Sequence, residues 1–434
     1  MVARVLFLFV FLFSSPALWA LPEIQQWKLE NGARVLFVES HELPMLRVSL
    51  VFNAGSSRDA RGKAGQALLV NHMLDEGTDK LSADAIADRL EGLGAQLSAG
   101  VDLDRATVGI KSLSDKAKLN SALDVLKAII TGPTFPAASL DRERGRLLIG
   151  LQRSQQSPGD VGEKVFNRLV FGDHPYARPS SGDEKSVKAI TRDDLAQFHR
   201  QYYVGANTVV VIVGDVSKSG ARRIARHVVG ELPAGSAAPP LLKVKDLQSA
   251  TTKRIRFPSS QTHILAGLPG MKRGDPDYFP LYVGNYMLGG GGLVSRLSQE
   301  IREKRGLSYS SYSYFWPLRS KGPFMMGLQT RNDQADQALK VMRKTLKDFI
   351  RTGPSDKELT AAKKHITGGF PLRLDNSGKI AGYLAMIGFY NLPNSYLDDF
   401  NNRIEAVTRK QIHDAFKRRV NPDRMVTVII GGKD

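Results

Sequence analysis

The sequence predicts an α+β fold of two homologous domains, each a β-sheet covered by helices. Three observations lead there. The chain has 434 residues, 42% of them apolar and none of them Cys, so it must rest on hydrophobic cores of ordinary domain size. Its two halves echo each other at a shift of about 215 residues, the mark of an internal duplication. Within each half, β-rich stretches alternate with amphipathic ones, the pattern of sheets packed under helices.

Arg4, the apolar run Val5 to Phe13 and Ser14-Ser15-Pro16-Ala17-Leu18-Trp19-Ala20 read as a secretory signal peptide over residues 1–20, with cleavage after Ala17 or Ala20. Its apolar core is short for a membrane span, and no stable span is expected after cleavage. A first domain follows over 21–231. Arg34 to Val38 and Leu46 to Phe52 read as strands, and Leu140, Leu147, Leu148 and Leu151 share one helical face. Residues 232–246 begin Leu232-Pro233-Ala234-Gly235-Ser236-Ala237-Ala238-Pro239-Pro240, the composition of a linker. The second domain, 247–434, repeats landmarks of the first. Asn71-His72-Met73-Leu74 returns as Asn285-Tyr286-Met287-Leu288. Ile190-Thr191-Arg192, Phe198 and Val209 to Gly214 return as Val407-Thr408-Arg409, Phe416 and Val426 to Gly431. Gly132-Pro133 and Gly353-Pro354 each precede a helical stretch. The Tyr-rich run Ser308 to Trp316 reads as a strand with an edge open to an extended peptide.

The formal net charge of +18 is concentrated in the second half, since residues 1–240 hold 29 basic and 26 acidic side chains. That balance suits an acidic partner or an anionic envelope surface as well as simple solubility. The basic residues are scattered without aromatic-basic motifs, so nucleic acid is not an expected partner. Without Cys, thiolate catalysis and thiolate metal sites are excluded.

The segment Gly65-Gln66-Ala67-Leu68-Leu69-Val70-Asn71-His72-Met73-Leu74 carries the main functional signal. It resembles the zinc helix H-x-x-E-H of an inverted zincin, with Leu68 at the first His, Asn71 at the Glu and His72 at the second His. Trp27 to Thr78, Phe171-Gly172-Asp173-His174-Pro175-Tyr176, and Leu288-Gly289-Gly290-Gly291-Gly292-Leu293-Val294-Ser295-Arg296-Leu297 continuing from Glu300 to Tyr309 complete a likeness to the insulinase/pitrilysin metallopeptidases. The two-domain bacterial and mitochondrial-processing-peptidase type is the nearest match. The resemblance implies half of a clamshell that encloses extended peptide. It also places Gly150 where the family has its third ligand, a Glu. Leu68 and Gly150 cannot ligate zinc, and the Asn71 amide cannot serve as a base. No metal is therefore expected in this chain, and His72 is expected as a packed or hydrogen-bonded helix residue. A rebuilt site would start from His72, Asp75 and Glu76, spaced to share a helical face. His174 is expected to be structural.

Gly289, Gly290, Gly291 and Gly292 lack the Gly-Lys-Ser/Thr of a phosphate loop and read as a flexible or tightly turned loop. By resemblance it lies near the substrate channel. The resemblance also gives Arg302 and Tyr309 the role of contacting the substrate carbonyl at the scissile bond. A fixed cation and a phenol hydroxyl suit that task. The expectation is thus a non-catalytic subunit of a periplasmic heterodimeric zinc metallopeptidase, inactive alone. A zinc-containing homologous subunit is its partner and an extended peptide its substrate. A peptide-binding scaffold without a protease partner, and an active zinc protease with an altered site, remain as alternatives.

Overall fold

A computed structural model describes residues 23–432. The signal-peptide reading falls outside them. Two sheets organise the chain. The first contains β1 (Gln25–Lys28), β2 (Arg34–Glu39), β3 (Met45–Phe52), β4 (Gln96–Val101), β5 (Ala106–Leu113) and β6 (Thr208–Gly214), in the order β1-β2-β6-β3-β5-β4. The second contains β7 (Thr251–Ile255), β8 (Gln261–Pro269), β9 (Ser311–Phe315), β10 (Pro323–Arg331) and β11 (Val426–Ile430), in the order β7-β11-β8-β10-β9. Apart from β1, the two orders are the same. In each, one parallel pair (β2 with β6, β7 with β11) adjoins otherwise antiparallel neighbours. The duplication read from sequence is therefore a duplication of topology.

The repeated landmarks have a local cause. Helices Arg192–Tyr202 and Arg409–Arg419 start with the same reciprocal cap, Thr191 with Asp194 and Thr408 with Gln411. Each side chain satisfies a free backbone N–H of the first turn. Each helix leads into a strand buried along its whole length, β6 or β11. Such uninterrupted β-branched runs belong to strands covered on both faces. Val210 and Ile212 of β6 face the first half's own helices, while Val209, Val211 and Val213 join a core built mostly from the second half.

That mixed core reveals what the sequence patterns left hidden: the halves exchange helices. Helix Pro158–Phe171 of the first half packs on β8 and β11, and helix Ser377–Tyr390 of the second packs on β6, β3 and β2. Glycines permit both approaches. A Cβ on Gly267 would meet the Phe166 ring at 2.7 Å, and one on Gly388 would meet Val209 at 2.6 Å. Between the halves, buried Asp104 accepts hydrogen bonds from the Tyr176 and Tyr390 hydroxyls and, at 2.7 Å, from the Arg319 backbone N–H. Burial holds its carboxyl above the usual range despite these donors. Residues 232–246 carry no helix or strand and are strapped to the surface, where Pro239 and Leu242 carbonyls meet Arg58 and His174. Among the described residues, no helix is long and apolar enough to cross a membrane.

Candidate functional site

Helix Gln66–His72 is firmly built. Gly65 adopts the left-handed conformation at its N-cap (φ 97°), and the Asp59 carboxylate accepts from the Gly65 and Ala67 N–H groups at 2.8 Å each. Burial pushes the Asp59 carboxyl up to about 7, against the pull of those two donors. The helix packs beside edge strand β4 and against helices Arg192–Tyr202 and Ala137–Gln155. The frame of the motif is therefore intact.

Its side chains do not form a metal site. Leu68 is half-buried and apolar. Asn71 is 1% exposed and donates to the Thr107 carbonyl of β5 at 3.1 Å. The Tyr203 hydroxyl lies beside the Asn71 amide, which moderates the upward push of burial on the phenol, although neither Asn71 Oδ1 nor the hydroxyl has a well-formed hydrogen bond. Gly150 is exposed, with open space where a side chain would project.

Two expectations need correction. His72 is neither packed nor hydrogen-bonded: it is exposed, and nothing among the described residues donates to it or accepts from it. The reason is the early end of the helix. Met73 closes it by donating to the Leu69 and Val70 carbonyls, so His72 sits on the last turn facing solvent. For the same reason Asp75 and Glu76 lie in the turn beyond and do not continue the His72 face. Glu76 pairs with Arg142, and buried Glu143 pairs with Arg146 at 2.6 Å and Arg142 at 3.7 Å. Asp75, raised by burial and by its acidic neighbours, lies within electrostatic range of His72. Two guanidiniums thus neutralise Glu76 and Glu143, while Asp75 has no ion pair among the described residues. No group of three or more His, Asp or Glu side chains suited to a metal occurs among the described residues. The residues present do not fit zinc.

His174 is structural as expected. It is buried, its Nε2 lies 2.9 Å from the Leu242 carbonyl, and its Nδ1 accepts from the Tyr176 N–H.

In the second half, the glycine run forms a tight turn. Tyr286–Gly290 is a π-helical turn closed by Gly291 N–H to the Tyr286 carbonyl at 2.8 Å. Gly289 is buried against Ser313 of β9, where a Cβ would come within 2.5 Å of the hydroxyl, and Gly292 has φ +62°. Gly290 and Gly291 are crowded by Asn285 and Tyr286. These glycines serve close packing and a turn, not a phosphate cradle. Leu293 and Val294 follow, both exposed.

Arg302 lies on a second π-helical turn, Gln299–Glu303, a distortion common near functional sites. Among the described residues its side chain pairs only with Glu303, at 3.4 Å. Its neighbours are committed elsewhere: Arg296 is held by Glu358 and the Gly353 carbonyl, and Arg305 by Glu300. Of the three, Arg302 is the arginine left to reach outward. Tyr309 is 89% exposed, on the loop that enters β9. β9 is the edge of its sheet, as β4 is of the other. No hydrogen bond or ion pair among the described residues joins Arg302 or Tyr309 to helix Gln66–His72.

Known proteins place this arrangement. Residues 34–184 match the family model described as Insulinase (Peptidase family M16), and residues 189–366 the one described as Peptidase M16 inactive domain. A crystal structure of a peptidase M16 inactive domain from Pseudomonas fluorescens is 40% identical, with a TM-score of 0.91 over 95% of this chain and 98% of that one. The chain belongs to the M16 peptidase family. A Streptomyces coelicolor relative named as an uncharacterized zinc protease is 29% identical over 94% of this chain and 89% of its own length. A Helicobacter pylori relative named as a non-peptidase homolog is 26% identical over 95% and 94%. The M16 fold, two helix-covered sheets, was expected from sequence and is found.

Sequence reasoning missed the Asp104 junction and the exchanged helices. Glycines at close approaches between the halves, such as Gly267 and Gly388, were a signal, but glycine alone does not say which sheet a helix will cover.

Proposed function

We propose that this chain is the non-catalytic subunit of a periplasmic heterodimeric zinc metallopeptidase of the M16 type. One observation carries the reading: the zinc helix keeps its cap, packing and neighbours while Leu68, Asn71 and Gly150 replace its chemistry. A homologous partner supplies the zinc, its ligands and the base. This chain supplies half of the peptide chamber, and Arg302 and Tyr309 reach the substrate at the partner's metal. The exposure of Tyr309, and a half-exposed Arg302 whose one ion pair among the described residues is with Glu303, support that role. A cation and a phenol hydroxyl aimed at a developing oxyanion stabilise it more in the transition state than in the ground state. The periplasmic location rests on the signal-peptide reading of residues 1–20. The open edges of β4 and β9 favour a second reading, a peptide-binding scaffold without a protease partner.

The test uses the chain reconstituted with a zinc-motif homologue from the same organism. Arg302→Ala and Tyr309→Phe should each lower kcat by about one to three orders of magnitude, on the scale of one lost oxyanion donor. His72→Ala should leave turnover within about twofold, because an exposed, unbonded side chain contributes little. Loss of activity in His72→Ala with wild-type turnover in Arg302→Ala would reverse the assignment.

A further inference from the structure

A cavity of about 580 Å³ opens where the turn between β4 and β5 meets the second half. It makes no use of the degenerate zinc helix and stands independently of the protease reading. Its walls are aromatic: Tyr278 and Tyr282 stack with ring centres 5.8 Å apart, Tyr390 shares the Arg273 guanidinium with Tyr278, and Trp316, 39% exposed, also lines it. Four cations line it, but two are neutralised. Arg105 pairs with Asp102 at 2.8 Å and Lys379 with Asp375 at 2.7 Å. Asp102 lines the same cavity, but Arg273 and Arg373 form no ion pair among the described residues. The Arg273 guanidinium lies about equally far from two phenol rings, 5.6 Å from Tyr278 and 5.5 Å from Tyr390. Arg373 donates to the Tyr282 hydroxyl at 2.7 Å and also bonds the Tyr383 hydroxyl, which holds the fork in place; a guanidinium carries five N–H groups, so others remain for a ligand.

Two uncompensated guanidiniums in an aromatic cavity call for an anion carrying a flat apolar body. We infer that this cavity binds an aromatic carboxylate. Its carboxylate bridges toward Arg273 and Arg373, and its ring lies against the tyrosine faces. Two sources share that chemistry: a small free aromatic acid, and the C-terminal residue of a peptide.

Calorimetric titration of the full chain separates them. The probes are N-acetyl-phenylalanine, its amide, a decapeptide ending in phenylalanine, and the same decapeptide amidated. Both acids should bind at least about tenfold tighter than their amides. Arg273→Gln and Arg373→Gln, checked for wild-type thermal unfolding, should each weaken acid binding by about the same factor. A decapeptide acid that outbinds the free acid identifies a chain terminus, and equal affinity identifies a small acid; either supports the site. Equal affinity for acid and amide overturns it, as does the absence of saturable binding up to about 10 mM. The acid-to-amide comparison needs no variant, so a substitution that fails to fold does not shield the proposal.

Discussion

If the halves exchange helices, they share one cooperative core, and a single substitution can test that. Phe166 sits on the exchanged helix Pro158–Phe171, fully buried, with its ring over Gly267 of β8. Phe166→Ala removes a ring that the second sheet cannot replace. Gly267 has no side chain, and the β8 and β10 backbones are fixed in a nine-residue ladder that cannot collapse into the void. The loss should therefore fall within the usual range for Phe→Ala in a rigid core, about 3–5 kcal/mol. In a chain starting at Leu21, Trp27 and Trp316 are the only tryptophans, one in β1 of the first sheet and one just beyond β9 of the second. Urea unfolding followed by fluorescence in Trp27→Phe and Trp316→Phe backgrounds reads each half separately. Phe166→Ala should lower both midpoints equally. A shift confined to the Trp316 signal, or a loss under about 1 kcal/mol, would show that the helix exchange does not couple the halves.

The reciprocal helix gives a matching prediction. Gly388→Ala places a Cβ 2.6 Å from Val209 and 2.8 Å from Leu36, and should destabilise the chain by about 1–3 kcal/mol in the same urea assay. Buried His199 donates from Nε2 to the Ile130 carbonyl at 3.0 Å and stacks on Tyr203; desolvation takes its pKa down to about 4. Its folded pKa lies below the unfolded value, so the native state holds fewer protons. Stability from this group is full above about pH 6.5 and falls as pH drops toward 4, by about 3 kcal/mol in all. A His199→Gln chain should lose that slope, and equal slopes in both chains would refute the assignment. Leu68→His combined with Gly150→Glu should create near-stoichiometric zinc binding by metal analysis. The introduced imidazole would stand one helical turn from His72, on a helix packed against the one that carries the introduced carboxylate. No gain would mean that Arg142 and Arg146 exclude the cation from the frame itself.

Much of the fold was legible because its signals are local. Thr191 and Thr408 announce helix starts through their own caps, and the Val-rich runs at β6 and β11 demand burial on both faces wherever they lie. The chemistry of the motif positions is legible in sequence, since the side chains of Leu68 and Gly150 offer a metal no donor atom. What stayed hidden depends on three dimensions. The apolar helix Ser377–Tyr390 says that it is buried, but not that it covers the other half's sheet. His72 was misjudged because its exposure follows from a helix that stops one residue later, and nothing in Asp75-Glu76-Gly77 fixes that stop to a single position. Arg302 could not be told from Arg296 and Arg305 by spacing alone. In the structure Glu358 and Glu300 tie the other two down, while Arg302 meets Glu303.

Zinc content and peptidase activity of the purified chain, alone and mixed with a homologue carrying H-x-x-E-H, test the central claim most directly. A non-catalytic partner predicts substoichiometric zinc and no activity alone, and chelator-sensitive activity on mixing that exceeds the homologue's own. Stoichiometric zinc with chelator-sensitive activity in the chain by itself would contradict it.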